Sequence, residues 1–292
     1  MGGIRIAVSD FDNIFAMLSN ASSGLRRKYG NIVMQTSYRR ATVMLGVVIA
    51  ALITVGLSVP AVAQGVGAVV PLPAQMQEAA QKYLPGVVGE PVPAFTIDPS
   101  LATLSPSTRL YQLVNGPNAG NTEEHVIARL PEKTTEWRYT IGDRSVILQE
   151  VPGKSLSIIS ENDADQGVVT RYTPPEPLLI AGMNAGDTKK MTMQVNVFDL
   201  SDPTDLEHQG KLDVTLTYVG AYKVTVPAGT FDAALLRWEF NGKIGPASVE
   251  DIQARFVAPD VGMVAAAEKR DIAAFLIYND NTKVGKVLAQ KP

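Results

Sequence analysis

The stretch 211-KLDVTLTYVGAYKVTVPAGTFDAALLRWEF-240 decides the fold, because its apolar residues recur at every second position. That period of two is typical of a β-strand with one buried face. The pattern stops at Pro227-Ala228-Gly229 and then resumes as far as Phe240. Proline fixes φ and glycine accepts positive φ, which suits a tight turn. The alternating apolar positions are Leu212, Val214, Leu216, Tyr218, Tyr222, Val224, Val226, Ala234, Leu236, Trp238 and Phe240. The stretch therefore predicts one long β-hairpin.

Further alternating or short apolar runs follow one another through residues 108–292, with turn residues between them. No helical pattern of roughly 10–15 residues separates these runs, so the sequence predicts an antiparallel meander rather than a parallel sheet. The runs are 126–130, 137–141, 146–148, 156–159, 191–197 and 252–256. The predicted fold is mainly β, a meander that forms a curved sheet or an unclosed barrel.

Composition excludes several classes of protein. The chain has 292 residues, with 26 Lys plus Arg and 29 Asp plus Glu. Residues 1–63 hold six basic and two acidic residues, so the remainder carries a net charge of −7. A mildly acidic body without a basic run argues against a nucleic-acid partner. The absence of cysteine excludes disulfides, thiolate metal sites, a cysteine nucleophile and a lipid-modified cysteine.

The N-terminal region predicts export. Arg39 and Arg40 precede an uncharged stretch, 41–59, and small residues end the region at Ala61 and Ala63. This pattern predicts a signal peptide over 34–63 that is cleaved after Ala63, leaving the body in the periplasm or secreted. The alternative is an uncleaved inner-membrane anchor with the body in the periplasm. A start at Met34 would give the leader an ordinary length, so residues 1–33 are interpreted as a start-site extension.

Residues 64–107 are predicted to be a short helix followed by an arm. Apolar residues from Met76 to Leu84 fall at helical spacing, and Pro85-Gly86 ends the pattern. Five prolines between positions 85 and 107 then rule out a regular period. The sequence predicts an amphipathic helix and a Pro-rich arm that lies over the domain surface or tethers it. The β-rich domain is predicted to span 108–292.

The turn of the central hairpin carries a recognisable motif. Val226-Pro227-Ala228-Gly229-Thr230-Phe231-Asp232-Ala233 resembles the V-P-A-G-T-F-D-A hairpin of secreted Gram-negative proteins that are classed as domains of unknown function. The stretches 177–187 and 256–264 are similar to a proline-leucine and glycine turn and to a later strand of that family. The resemblance implies a β-rich envelope domain, like the unclosed barrel of periplasmic lipoprotein carriers. It implies no catalytic residues, and the motif is interpreted as structural.

No residue set predicts catalysis, a metal or a cofactor. His125 and His208 follow acidic residues in loop-like sequence, and neither has a third partner at a usable spacing. Both are predicted to be solvated loop residues. Two acidic stretches, 161–165 and 199–207, match no calcium-loop spacing. These stretches are predicted to be hairpin turns whose side chains bond their own backbone.

Aromatic and methionine side chains on the predicted strands mark a candidate apolar ligand face. These residues are Trp137, Met191, Met193 and Trp238. Ordinary core packing would use the same residue types, but an unclosed barrel has a concave face that something must fill. The sequence therefore predicts an exported, non-enzymatic protein that binds a lipid or other apolar envelope molecule, or an envelope protein. The rival interpretation is an envelope hydrolase or metal-dependent enzyme that uses the acidic loops and a histidine.

Overall fold

The structure, a computed structural model, describes residues 65–274 and 278–291. Within these ranges it has one α-helix, α1 (Ala74–Tyr83), one 3-10 turn (Pro99–Ala102) and thirteen strands. The strands are β1 (Val88–Val92), β2 (Ser107–Asn115), β3 (Thr122–Arg129), β4 (Glu136–Ile141), β5 (Arg144–Val151), β6 (Ser155–Asp163), β7 (Val168–Ile180), β8 (Thr188–Asp199), β9 (Leu206–Val226), β10 (Gly229–Ile244), β11 (Ala247–Ala258), β12 (Gly262–Ala274) and β13 (Tyr278–Leu288). The predicted extension 1–33, the leader 34–63 and the cleavage site after Ala63 lie outside the described residues.

Strands β2 to β13 form a closed barrel of twelve strands. Each pairs antiparallel with the next, and β13 pairs with β2 so that Leu288 lies opposite Tyr111. The prediction of a mainly β meander is confirmed, but the prediction of a curved sheet or unclosed barrel is wrong. Closure depends on β13, whose polar sequence, YNDNTKVGKVL, shows no apolar alternation and predicted no strand. Without that strand the meander has two free edges.

The predicted hairpin is present as β9 and β10, joined at Pro227-Ala228. One feature departs from the prediction of a single buried face. Val219 is an extra residue opposite the register step between Leu235 and Leu236, which makes it a β-bulge. Tyr218 and the even positions before it pack inside the barrel, whereas Tyr222 and the even positions after it pack in a second core outside the barrel. The long strand therefore buries one face before the bulge and the opposite face after it.

The Pro-rich arm closes one end of the barrel. Ile97 exchanges backbone hydrogen bonds with the connection between β7 and β8, donating to the carbonyl of Met183 at 2.9 Å. Tyr218 donates its hydroxyl to the carbonyl of Phe95 at 2.9 Å. Ile97 and Leu101 are buried among the inner residues of the barrel, each worth about 2 kcal/mol of apolar burial. The arm therefore completes the core rather than lying over its surface.

The predicted amphipathic helix is present as α1 and lies outside the barrel. Met76 and Leu84 pack in the second core beside β9 and β13. A side chain at Gly285 of β13 would meet the carbonyl oxygen of Tyr83 at 1.9 Å, so only glycine allows the end of the helix to approach this strand. No helix of the described residues has the length and apolar character needed to cross a membrane.

Candidate ligand-binding cavity

The barrel interior contains two chambers, of about 500 Å³ and about 170 Å³. The larger chamber extends from hairpin turns at one end, where Pro117 and Asp143 line it, to the arm at the other end, where Leu104 lines it. Side chains are enough to fill the interior of an eight-stranded barrel. A barrel of twelve strands is wider, so space remains between its inward-facing side chains. The apolar wall includes Ile127, Leu148, Leu156, Ile158, Leu178, Trp238 and Val257. Its volume and lining are typical of a small-molecule site.

A layer of paired charges lies where the two chambers meet. Arg144 and Arg270 line both chambers, and they project from strands on opposite sides of the barrel. Arg144 forms ion pairs with Glu161 and, at 3.5 Å, with Asp163. Burial raises the pKa of Glu161 more than any single effect, but the charge and hydrogen bond of Arg144, the charge of Arg270 and the hydrogen bond from Tyr172 together lower it. Glu161 is therefore ionised and compensated at neutral pH.

Arg270 holds the other half of this layer. It pairs with Asp251 at 3.8 Å and with Glu268. Burial and the charge of Glu268 raise the pKa of Asp251 to about 6 despite the opposing charge of Arg270. We call these residues the charged layer: Arg144, Glu161, Asp163, Asp251, Glu268 and Arg270. Each arginine in it has two carboxylate partners.

Glu176 of β7 also lines both chambers, but its carboxyl group is unpaired. Among the residues that the structure describes, no side chain or backbone group hydrogen-bonds it or pairs with it. Burial raises the pKa of Glu176 to about 7; the charge of Arg255 opposes that rise, while Glu161, Asp251 and Glu268 add to it. The carboxyl group is therefore protonated over a pH range in which an ordinary glutamate is ionised.

His125 is only 1% exposed and faces the larger chamber from β3, so the prediction of a solvated loop residue is wrong. Burial lowers its pKa more than any other effect, so the ring is neutral at pH 7. Its Nε2 lies 2.5 Å from Oε1 of Glu123, and its Nδ1 bonds the hydroxyl of Tyr139. Because an ionised carboxylate can only accept, Nε2 carries the hydrogen and Nδ1 accepts from Tyr139.

Glu123 accepts a hydrogen bond from His125 and also pairs with a cation, Lys286. Burial alone would raise the pKa of Glu123, but the hydrogen bond from His125 and the charge of Lys286 lower it to about 2. Lys286 reaches Glu123 from β13, the strand that closes the barrel. Both ring nitrogens of His125 and the charge of Glu123 are therefore already in use within the wall of the chamber.

Two further arginines face the larger chamber without a carboxylate partner. Arg109 of β2 is 3% exposed; it donates to the carbonyl of Thr103 at 2.9 Å, while its Nε has no hydrogen-bond partner among the described residues. Arg255 of β11 donates to Oε1 of Gln253 at 2.7 Å. Its guanidinium carbon lies 4.9 Å from the ring centroid of Trp238. Within the described ranges neither guanidinium has a carboxylate oxygen within 4.0 Å.

The four residues of the predicted apolar face occupy inward-facing positions of the barrel. Trp238 lines the larger chamber and Met193 the smaller one. Trp137 is buried in the inner core, and Met191 packs against that core; neither lines a chamber. The indole Nε1 of Trp238 donates to the carbonyl of Pro177 at 2.7 Å, which fixes the ring. The structure thus brings two of the four to the cavities, but not to the same one.

The motif resembling the secreted family lies at the β9–β10 turn, away from the chambers. Gly229 adopts a φ of 137°, and Thr225 and Thr230 bond through their hydroxyls at 3.1 Å. Phe231 packs in the second core outside the barrel. The remaining residues of the motif are Val226, Pro227, Ala228 and Asp232; Ala228 donates its backbone N–H to the carbonyl of Leu288.

The acidic stretch 199–207 bonds its own backbone as predicted, whereas 161–165 does so only in part, because Glu161 and Asp163 lie on β6 and pair with Arg144. Asp163 accepts from the backbone N–H of Gln166, and Asp199 accepts from that of Ser201. In the ranges described, no group of three or more histidine or acidic side chains is arranged to hold a metal ion. His208 is half-buried near the start of β9 rather than in a loop.

The sequence matches no protein-family model and no curated protein. Three solved structures show a distant likeness: the hypothetical lipoprotein YmcC of Escherichia coli K12 (9% identity, 65% of this chain and 89% of that chain, TM-score 0.35), a protein described as exported, with a YmcC-like fold, from Bacteroides fragilis (12%, 68% and 94%, 0.36), and a protein described as a lipoprotein from Parabacteroides distasonis (11%, 65% and 96%, 0.32). At such low TM-scores and identities they establish neither the fold nor the function of this chain.

Proposed function

We propose that this chain is an exported, non-enzymatic binding protein of the cell envelope, and that it holds a small amphipathic molecule inside its barrel. The observation that carries the proposal is the larger chamber, whose wall is apolar except for a few convergent charged groups. The predicted leader supports export. Because the barrel is closed, the ligand belongs in its interior and not on an open concave sheet.

The arrangement of His125 favours binding over catalysis. A general base needs a free lone pair directed at the substrate proton. Nδ1 of His125 accepts from Tyr139, and Nε2–H is donated to Glu123. The rival interpretation, a hydrolase or metal-dependent enzyme, would require His125 to break one of these bonds first. Of the acidic stretches proposed for that rival, 199–207 bonds its own turn, and Glu161 and Asp163 are held in ion pairs with Arg144.

A variant that fills part of the larger chamber tests whether the ligand binds there. Ala266 lines the larger chamber between Arg255 and Lys286 of the neighbouring strands, so Ala266→Phe introduces a ring that occupies part of the chamber. Ala128 is exposed on the outer face of β3, and Ala128→Phe is the matched control. With the purified protein and a fluorescent fatty-acid analogue, we expect saturable binding that Ala266→Phe weakens at least tenfold and Ala128→Phe leaves unchanged.

Native mass spectrometry of protein purified gently from its host supplies the second readout. We expect an added mass that dissociates as a small amphipathic molecule and is reduced by Ala266→Phe. An absence of saturable binding with every lipid class tested, together with a bare mass, would overturn the proposal. The search would then move to protein partners.

A further inference from the structure

We propose that Arg109 and Arg255 bind the anionic head group, a carboxylate or a phosphate, of the amphipathic molecule held in the larger chamber. The inference rests on the proposed function and adds the chemical class of the ligand. It follows from three features of the chamber: two cations with no carboxylate of the described residues within 4.0 Å, acidic groups that are held in other ion pairs or, for Glu176, have a raised pKa, and an apolar wall beside one of the cations.

The two guanidinium groups are the unmatched charges of the chamber. Arg109 is almost fully buried, and its Nε has no hydrogen-bond partner in the described part of the chain. Arg255 is bonded only to an amide oxygen, that of Gln253, and stacked on Trp238. Removing a cation from bulk water without a counter-charge is unfavourable. An anion that enters the chamber would supply the missing charge.

The carboxylates of the chamber do not compete for these arginines. Glu123, Glu161 and Glu268 each hold an ion pair with another cation. Asp143 and Asp165 are exposed in the hairpin turns at the open end. Arg109 and Arg255 are therefore the chamber's cations that no carboxylate of the described residues approaches within 4.0 Å.

Glu176 fits the same site. The charge of Arg255 acts on it, but no ion pair within 4.0 Å joins them among the described residues. Burial raises the pKa of Glu176 to about 7. In its protonated form the carboxyl group is a hydrogen-bond donor, so it can donate to an oxygen of the bound anion.

The surroundings of Arg255 suit an amphipathic ligand rather than a bare anion. The planar guanidinium presents a fork of donors that matches carboxylate or phosphate oxygens. Trp238 supports one face of this fork, and its own indole is fixed by the carbonyl of Pro177. Leu156 and Leu178 extend the apolar wall of the same chamber. A head group at Arg255 therefore leaves a contiguous apolar surface for the rest of the molecule.

The test compares ligands that share a tail and differ in charge. Dodecanoate, dodecyl phosphate and dodecanol are titrated calorimetrically into the purified protein at pH 7.5. Charge-assisted hydrogen bonds to a buried arginine predict at least tenfold tighter binding of the anions than of the alcohol. Tight binding of dodecanoate alone, or of dodecyl phosphate alone, would still support the site and would identify the head group as a carboxylate or a phosphate.

Variants separate charge from volume. Arg255→Met and Arg109→Met should each remove most of the tenfold preference and leave the affinity for dodecanol within threefold, which also shows that the chamber is intact. Arg255→Lys keeps the charge and should retain part of the preference. Arg138→Met, at an exposed arginine on the outer face of β4, is the matched control and should change nothing.

The outcomes distinguish the two proposals. If dodecanol binds as tightly as the anions, or if both arginine variants keep the preference, the anion site is wrong and the binding function stands. If none of the three ligands binds, and no native ligand is found by mass spectrometry, the proposed function falls and the anion site falls with it.

Discussion

Arg144 and Arg255 lie in the same barrel interior, yet their surroundings differ in charge. Arg144 has two carboxylate partners in the charged layer, Glu161 and Asp163. Arg255 has an amide and an aromatic ring. A buried pair that is fully compensated is costly to break, whereas a cation without a counter-charge gives the fold little stability. We infer that Arg144 serves the structure and that Arg255 is available to a ligand.

Glu176 provides the strongest challenge to this comparison, because it is the carboxyl group that could be a hidden partner of Arg255. A folded-state pKa of about 7 lies above the ordinary value of 4.5. Between the unfolded pKa of 4.5 and the folded pKa of about 7, the folded protein keeps a proton that the unfolded chain loses. The free energy of unfolding therefore falls as the pH rises across this range, and above it the ionised group destabilises the fold. Glu176→Gln should therefore stabilise the protein by up to about 3 kcal/mol above pH 7 and by almost nothing below pH 4.

Chemical denaturation of both proteins between pH 4 and pH 8 measures this effect. Glu78→Gln on the exposed face of α1 is the control and should shift stability by no more than a few tenths of a kcal/mol at any pH. A Glu176→Gln variant that is less stable than the wild type at pH 8 would mean that Glu176 and Arg255 form a true pair. The comparison with Arg144 would then fail.

Arg144→Met should have the next largest effect. It leaves Glu161 and Asp163 without their cation, and breaking a buried pair costs about 3–5 kcal/mol. The chambers on either side leave the Arg144 side chain 34% exposed, so we expect about 2 kcal/mol from denaturant titration at pH 7. Adding Glu161→Gln in the same chain removes one stranded charge and should recover part of the loss. No recovery would show that the pairing was not the cause.

The sequence predicted the strands better than it predicted their faces. Alternation at Val126 and Ile252 identified β3 and β11, but both side chains are 38% exposed and point outward. The inward positions of these strands carry His125 and Arg255 instead. Alternation predicts two faces, and the apolar face is assigned to the core by default. In these two strands polar residues of the other face line the interior, so alternation gave no indication of Arg255 and led to His125 being assigned to solvent.

The sequence did not predict closure of the barrel either. The buried faces of β4 and β8 were predicted correctly, because Trp137 and Met193 face the inner core. The seam was missed because β13 pairs with β2 through backbone hydrogen bonds that any sequence can make. Among the described side chains, that of Lys286 reaches Glu123 across the seam. A lysine and a glutamate so far apart in sequence give no local signal.

Arg255→Met should have the smallest effect on stability and sharpens the comparison most directly. The variant loses the stacking on Trp238 and the hydrogen bond to Gln253, and it gains an apolar side chain in an apolar chamber. These contributions are each about 0.5–1 kcal/mol and oppose one another, so the net change should stay within about 1 kcal/mol. The same denaturant titration at pH 7 that measures Arg144→Met measures this variant, and the difference between the two arginines is the quantity of interest. If Arg255→Met costs as much as Arg144→Met, then Arg255 is a structural residue, and of the two arginines proposed for the anionic ligand only Arg109 remains available.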